Sequence, residues 1–104
     1  MTEKFISISE AIKKGNGRVA VRGWIYRERG SNEFKFLILR DSSDIIQCVL
    51  KKDKFKKQWE EIDKLQVEAS VEIIGDIKED KRAPTGYEIS AEKINIVGLS
   101  DSFP

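Results

Sequence analysis

Phe36, Gln47, Arg27 and Arg29 are the side chains of this sequence whose types and spacing could do chemistry. They fall in one stretch, GWIYRERGSNEFKFLILRDSSDIIQCVL, where aromatic rings and guanidinium groups are interleaved with aliphatic residues. A flat ring offers a stacking surface, an amide offers both a donor and an acceptor, and nearby cations neutralise phosphates. Together these are the parts needed to hold an unstacked base of a single-stranded nucleic acid.

No catalytic set competes with that reading. The 104 residues contain no histidine, one cysteine and no G-x-x-x-x-G-K-[ST] phosphate loop. The eighteen acidic residues are scattered over expected solvent faces, so neither a nucleophile–base pair nor a metal-ligand set emerges. No catalytic residue, metal or cofactor is expected of this chain. Nineteen basic residues against eighteen acidic ones leave a net charge of +1, which argues against a sequence-blind duplex binder. The distribution is less even: Arg18, Arg22, Arg27 and Arg29 lie close together, and Lys51, Lys52, Lys54, Lys56 and Lys57 form a second cluster. The lone Cys48 permits no internal disulfide and reads as a small buried hydrophobe, which fits a reducing, cytoplasmic setting. The apolar runs are too short to cross a membrane as a helix.

The elements that must position these side chains follow from periodicity. Ser7 and Glu10 have capping-box spacing, which predicts a short helix to about Lys14, stopped by Gly15. Residues 1–17 thus read as a helical extension, a plug on whatever follows. A first strand runs from Arg18 to about Glu28 with a period of two, and Gly23 within it suggests a bend or bulge. Strands follow at Phe34–Arg40 and Ile45–Lys51, joined by the turn Asp41-Ser42-Ser43-Asp44. A hairpin loop with an even number of residues pairs odd positions with even ones, so Phe36 and Gln47 share one face. Leu37, Leu39, Ile46 and Cys48 share the other, which must be the core. Asp53 is placed to cap a helix over about 54–65, whose apolar stripe is Phe55, Trp59 and Ile62. A fourth strand is expected near Ala69–Ile77, with Gly75 as a bend. The charged loop Lys78–Gly86 leads to a fifth strand over about Tyr87–Val97, bulged near Glu92.

Three strands, a helix, then two strands, with bends at glycines, is the order of an all-β, five-stranded Greek-key OB barrel. An SH3-like barrel would not need the helix between strands 3 and 4. OB barrels bind oligonucleotides on the face of strands 2 and 3, framed by the first and last inter-strand loops. That face carries Phe36 and Gln47. Arg27 and Arg29 approach it from the first loop, Lys81 and Arg82 from the second. The bland alternatives are that Phe36 is core, that Gln47 is merely solvated, and that Arg27 and Arg29 pair with Glu28 and Glu33. Trp24 and Tyr26 are expected to pack under the helix or along the barrel wall.

The motifs V-x-G-W-I-Y-R-x-R, F-x-x-L-R-D and I-I-Q-C-V-L resemble the N-terminal anticodon-binding domain of the aspartyl, asparaginyl and lysyl tRNA synthetases. R-A-P-T-G-Y-E-I, E-K-I-N-I-V-G-L-S and the terminal S-F-P are most similar to the asparaginyl branch of archaea and eukaryotes. The resemblance covers about residues 18–104. It implies that Phe36 stacks on the central anticodon uridine, that Gln47 bonds the same base, and that Arg27 and Arg29 lie near the anticodon backbone. The segment between Gly30 and Phe36 is two residues longer than in many relatives, which alters the loop facing the first anticodon base. Thr85 stands where a glycine is common.

The resemblance implies a domain order of helical extension (1–17), anticodon-binding OB barrel (18–97) and the start of a hinge (98–104). The implied partners are the anticodon loop of asparagine tRNA and the catalytic domain of the same synthetase. The rival expectations are a free-standing barrel for single-stranded RNA and a protein-interaction barrel with no nucleic-acid role.

Overall fold

The computed structural model describes residues 4–98. Helix α1 (Ile8–Lys14) is fixed at both ends by its own sequence. The Ser7 hydroxyl accepts from the Glu10 N–H at 3.1 Å and the Glu10 carboxylate accepts from the Ser7 N–H at 3.2 Å, while Gly15 closes the helix at φ 75°. Ile8 and Ala11 are buried against the barrel, which makes the helix the expected plug. It is held there by the turn after strand 2: Asp41 accepts from the Ile8 N–H at 2.9 Å, and Ser43 from the Ser9 N–H at 3.0 Å.

Five strands follow: β1 (Gly17–Gly30), β2 (Phe34–Arg40), β3 (Ile45–Lys51), β4 (Ser70–Glu79) and β5 (Tyr87–Gly98). They close into a barrel in the order β1-β2-β3-β5-β4, with β3 and β5 parallel and the other pairs antiparallel. This is the OB barrel expected from the order of elements. The long β1 serves two neighbours, pairing with β4 over Gly17–Trp24 and with β2 over Trp24–Gly30. Alternating aliphatic residues from every strand, among them Val21, Ile25, Leu37, Leu39, Ile46, Ile73 and Ile89, are fully buried inside it.

Two local expectations on β1 and β5 have different outcomes. Glu92 is the extra residue of a bulge, because Ile74 pairs with Lys93 and Gly75 with Ala91. The irregularity in β1 lies not at Gly23 but at Tyr26, between the pairs Ile25–Leu39 and Arg27–Ile38. Gly23 has a different reason: a Cβ there would run into the Arg40 carbonyl, where β2 leaves the corner of the barrel.

The helix expected over 54–65 is broken. A 3-10 turn, Lys52–Lys54, is followed by a short helix, α2 (Trp59–Asp63), and neither has a side-chain cap, so Asp53 caps nothing. Lys54 and Lys57 would stand one turn apart on a continuous helix and repel. The apolar stripe survives the break, since Phe55, Trp59, Ile62 and Leu65 are all buried. The expected tail beyond Gly98 lies outside the described residues.

Candidate nucleic-acid interface

The β2–β3 hairpin pairs Phe36 with Val49, Leu37 with Cys48 and Ile38 with Gln47. Phe36 and Gln47 therefore share the outer face as parity required, and both are half-buried rather than core. The Phe34 ring lies 6.2 Å from that of Phe36 with a 27° interplanar angle, so the stacking surface is two rings wide. Phe34 was not singled out from the sequence, although its even position in β2 puts it on the same face.

The Tyr26 bulge brings the cations in. Before it, the odd residues Val19, Val21 and Ile25 point into the core. By simple alternation Arg27 and Arg29 would follow them inside. The extra residue reverses the parity, so Arg27 sits beside Ile38 and Arg29 beside Phe36 on the outer face. Arg29 reaches over Phe36 with its guanidinium carbon 5.0 Å from the ring centroid. That is cation–π range, and the contact is a weak one that an entering base can replace while the guanidinium turns to a phosphate. Glu28 pairs with Leu37 and accepts from the buried Lys35 at 2.9 Å, yet it stays exposed and also lines the cleft described below. Lys35 is only 3% exposed and also donates to the Asp63 carbonyl at 3.2 Å. That pair ties the start of β2 to the end of α2, beneath the residues that face outward.

Gln47 has a partner that sequence reading missed. Its Nε2 donates to the Glu88 carboxylate at 2.9 Å across the parallel β3–β5 pair. A carboxylate only accepts, so the amide nitrogen must face it, and the Gln47 Oε1 is left as the acceptor available to a ligand. Only the parallel closure of the barrel brings the two together, and strand periodicity carries no sign of it.

These residues line a cleft of about 680 Å³ that includes Tyr26, Arg27, Arg29, Phe36, Ile38 and Gln47. Lys81 and Arg82 are not part of it. The Asp80 carboxylate accepts from the Arg82 N–H at 3.0 Å and pairs with its guanidinium at 3.5 Å. That turn aims both cations into solvent and presents Pro84 to the cleft in their place. Trp24 and Tyr26, expected to be packed, are 49% and 45% exposed. As even residues of β1 they face outward, and among the described residues no helix covers them. The lysines of 51–57 are exposed, and none of them lines the cleft. Burial, with a smaller contribution from the Glu88 carboxylate, pushes the Cys48 thiol far up, so it is an inert core group. Among the described residues no cluster of His, Cys, Asp or Glu could hold a metal, and no helix is long and apolar enough to cross a membrane.

A closed barrel of this strand order, with an aromatic and an amide on the β2–β3 face and arginines beside it on β1, defines an oligonucleotide-binding class. The chain belongs to the tRNA anti-codon family of OB-fold nucleic acid binding domains, whose model matches residues 19–97. Among curated proteins it is similar to the asparagine–tRNA ligase of Thermoplasma acidophilum, 40% identical over 95% of this chain and 24% of that protein. The asparagine–tRNA ligase of Thermococcus gammatolerans is 44% identical over 84% of this chain and 20% of that protein. Among solved structures, asparaginyl-tRNA synthetase from Pyrococcus horikoshii complexed with asparaginyl-adenylate superposes with a TM-score of 0.86 at 31% identity, over 97% of this chain and 24% of that one. The chain thus spans about a quarter of the length of the relatives it matches.

Proposed function

We propose that this domain binds the anticodon loop of asparagine tRNA, stacking the central uridine on Phe36 and reading it with Gln47. The observation that carries this reading is the Glu88–Gln47 hydrogen bond at 2.9 Å beside the Phe36 ring. It fixes which way the amide points before any ligand arrives. The Oε1 then accepts from the N3–H of uridine, and the second Nε2 hydrogen can donate to a neighbouring carbonyl of the same base. Cytidine presents a bare acceptor at N3, which faces Oε1 lone pair to lone pair. Arg27 and Arg29 hold the backbone beside the stacked base.

The kinship with asparagine–tRNA ligases supports the choice of asparagine tRNA. In this reading the chain supplies RNA recognition in the cytoplasm, and the chemistry of aminoacylation belongs to a catalytic domain of the same synthetase. Asparagine-dependent exchange of pyrophosphate into ATP by these 104 residues would refute that division.

The test is titration of the domain with RNA hairpins bearing U or C at the centre of the anticodon. The wild type is expected to prefer U. Gln47→Ala should erode the preference while leaving stacking largely intact. Glu88→Gln should erode it too, because a neutral amide can either accept from or donate to Gln47 and no longer dictates its orientation. Equal binding of the U and C hairpins by the wild type sinks the readout.

A further inference from the structure

We infer that Tyr26 is a second base-stacking platform, taking the nucleotide next to the one on Phe36. The inference rests on the RNA-binding reading above and extends it to a residue expected from the sequence to pack under the helix or along the barrel wall. Three observations carry it. Tyr26 is the extra residue of the β1 bulge, so both it and Arg27 project outward from the same point of the strand. The residue is 45% exposed and lies on the lining of the same cleft as Phe36. Two guanidinium groups approach that ring, Arg27 at 5.5 Å and Arg40 at 5.7 Å from its centroid.

The spacing suits successive bases. The bulge sits opposite Ile38–Leu39, so Tyr26 lies one strand across and about two residues along from Phe36, on the order of 8 Å at the backbone. Half-buried Ile38 forms an apolar floor between the two rings. Aromatic residues on adjacent strands of a sheet stack two or three splayed bases in the same manner. Arg27 and Arg40 lie over the ring at cation–π distance, contacts that an entering base can replace while the guanidinium groups turn to the intervening phosphate.

The experiment compares wild type, Tyr26→Ala, Tyr26→Phe and Phe36→Ala with an RNA hairpin presenting the asparagine anticodon. Two more hairpins have the base on either side of the central one removed to leave an abasic ribose. Loss of a stacking ring weakens binding by about 5- to 150-fold, and Tyr26→Ala should fall in that range. Tyr26→Phe should bind like wild type, because the ring face rather than the hydroxyl does the work. The Tyr26→Ala loss should also vanish on one of the two abasic hairpins, the one lacking the base that Tyr26 holds. If Phe36→Ala weakens binding but Tyr26→Ala does not, the second platform is overturned and the first stands. A Tyr26→Ala loss that persists undiminished on both abasic hairpins shows that Tyr26 acts through the protein backbone, and this also overturns it. If the wild type binds none of the hairpins, the RNA-binding reading fails and takes this inference with it.

Discussion

The two halves of β1 use the same alternating backbone for different ends. From Gly17 to Ile25 the strand lies between β4 and the barrel corner and sends Val19, Val21 and Ile25 inward. From Arg27 to Gly30 it lies beside β2 and sends Arg27 and Arg29 outward. One inserted residue, Tyr26, separates a half that builds the core from a half that builds the cleft. Side-chain parity along a strand is all-or-none, so a single bulge moves every later residue to the other face. Beside the switch, the buried Lys35 is satisfied by the exposed Glu28 at 2.9 Å.

Deleting Tyr26 tests the comparison most directly. Ile25 and Arg27 would then be consecutive and pair with Leu39 and Ile38 without a bulge, so Arg27 and Arg29 keep their outward direction and Lys35 keeps Glu28. The deletion variant is expected to keep a cooperative thermal transition by circular dichroism and to lose about 1–3 kcal/mol of RNA binding with its ring. Loss of the cooperative transition would mean that the bulge itself is needed to close the barrel.

A smaller perturbation separates the two faces of β2. Leu37 is fully buried, and Leu37→Ala should cost about 2–5 kcal/mol of stability by leaving a cavity. Phe36→Ala should instead cost about 1–3 kcal/mol in RNA binding with a lesser effect on folding. Denaturant melts beside hairpin titrations give both numbers for each variant. If Phe36→Ala unfolds the domain, the outer face is structural and the stacking role falls.

The sequence was legible where parity alone decides the outcome. Leu37, Leu39, Ile46 and Cys48 had to face one way, so Phe36 and Gln47 had to face the other, and any even hairpin loop preserves this. The bulge did leave a trace: the inward series Val19, Val21, Ile25 runs straight into Arg27 and Arg29, a change of chemistry that unbroken alternation cannot accommodate. Glu88 left none, because its meeting with Gln47 depends on β3 and β5 closing side by side. Loop composition assigns Lys81 and Arg82 to the face but says nothing of direction. There Asp80 folds the loop back on itself, buries Ala83 and turns Pro84 toward the cleft. The helix over 54–65 kept its buried stripe but lost its continuity, since burying Phe55 does not require every residue around it to be helical.

The arginines of the second half sharpen the comparison through salt. Each phosphate neutralised on a single strand contributes about −0.7 to the slope of log K against log salt concentration. Arg27→Ala and Arg29→Ala should each flatten the slope by about that much, with melting behaviour unchanged. A slope that does not move would relocate the backbone contact, with the lysines of 51–57 next in line.

Asp41 should give the opposite profile, a small loss of stability with RNA affinity intact, because it serves α1 and the β2–β3 turn rather than the cleft. Burial by itself would raise its carboxyl. Hydrogen bonds from the Ser43 hydroxyl and from the N–H groups of Ile8, Ser43 and Asp44 outweigh burial and hold it below the ordinary value of 3.8. A carboxyl lowered by folding adds stability that is fully present above its unfolded value and drains away as pH falls through the folded one. Asp41→Asn replaces one accepting oxygen with an NH2 group that cannot accept from these donors, at a cost of about 1–2 kcal/mol near neutral pH. The wild type loses its advantage only in acid, so the gap between the two proteins should be widest above about pH 4 and close below it. Urea melts at pH 7 and pH 3 measure both ends of that window. A gap that stays constant between them would show that the Asp41 charge contributes nothing to holding α1 on the barrel.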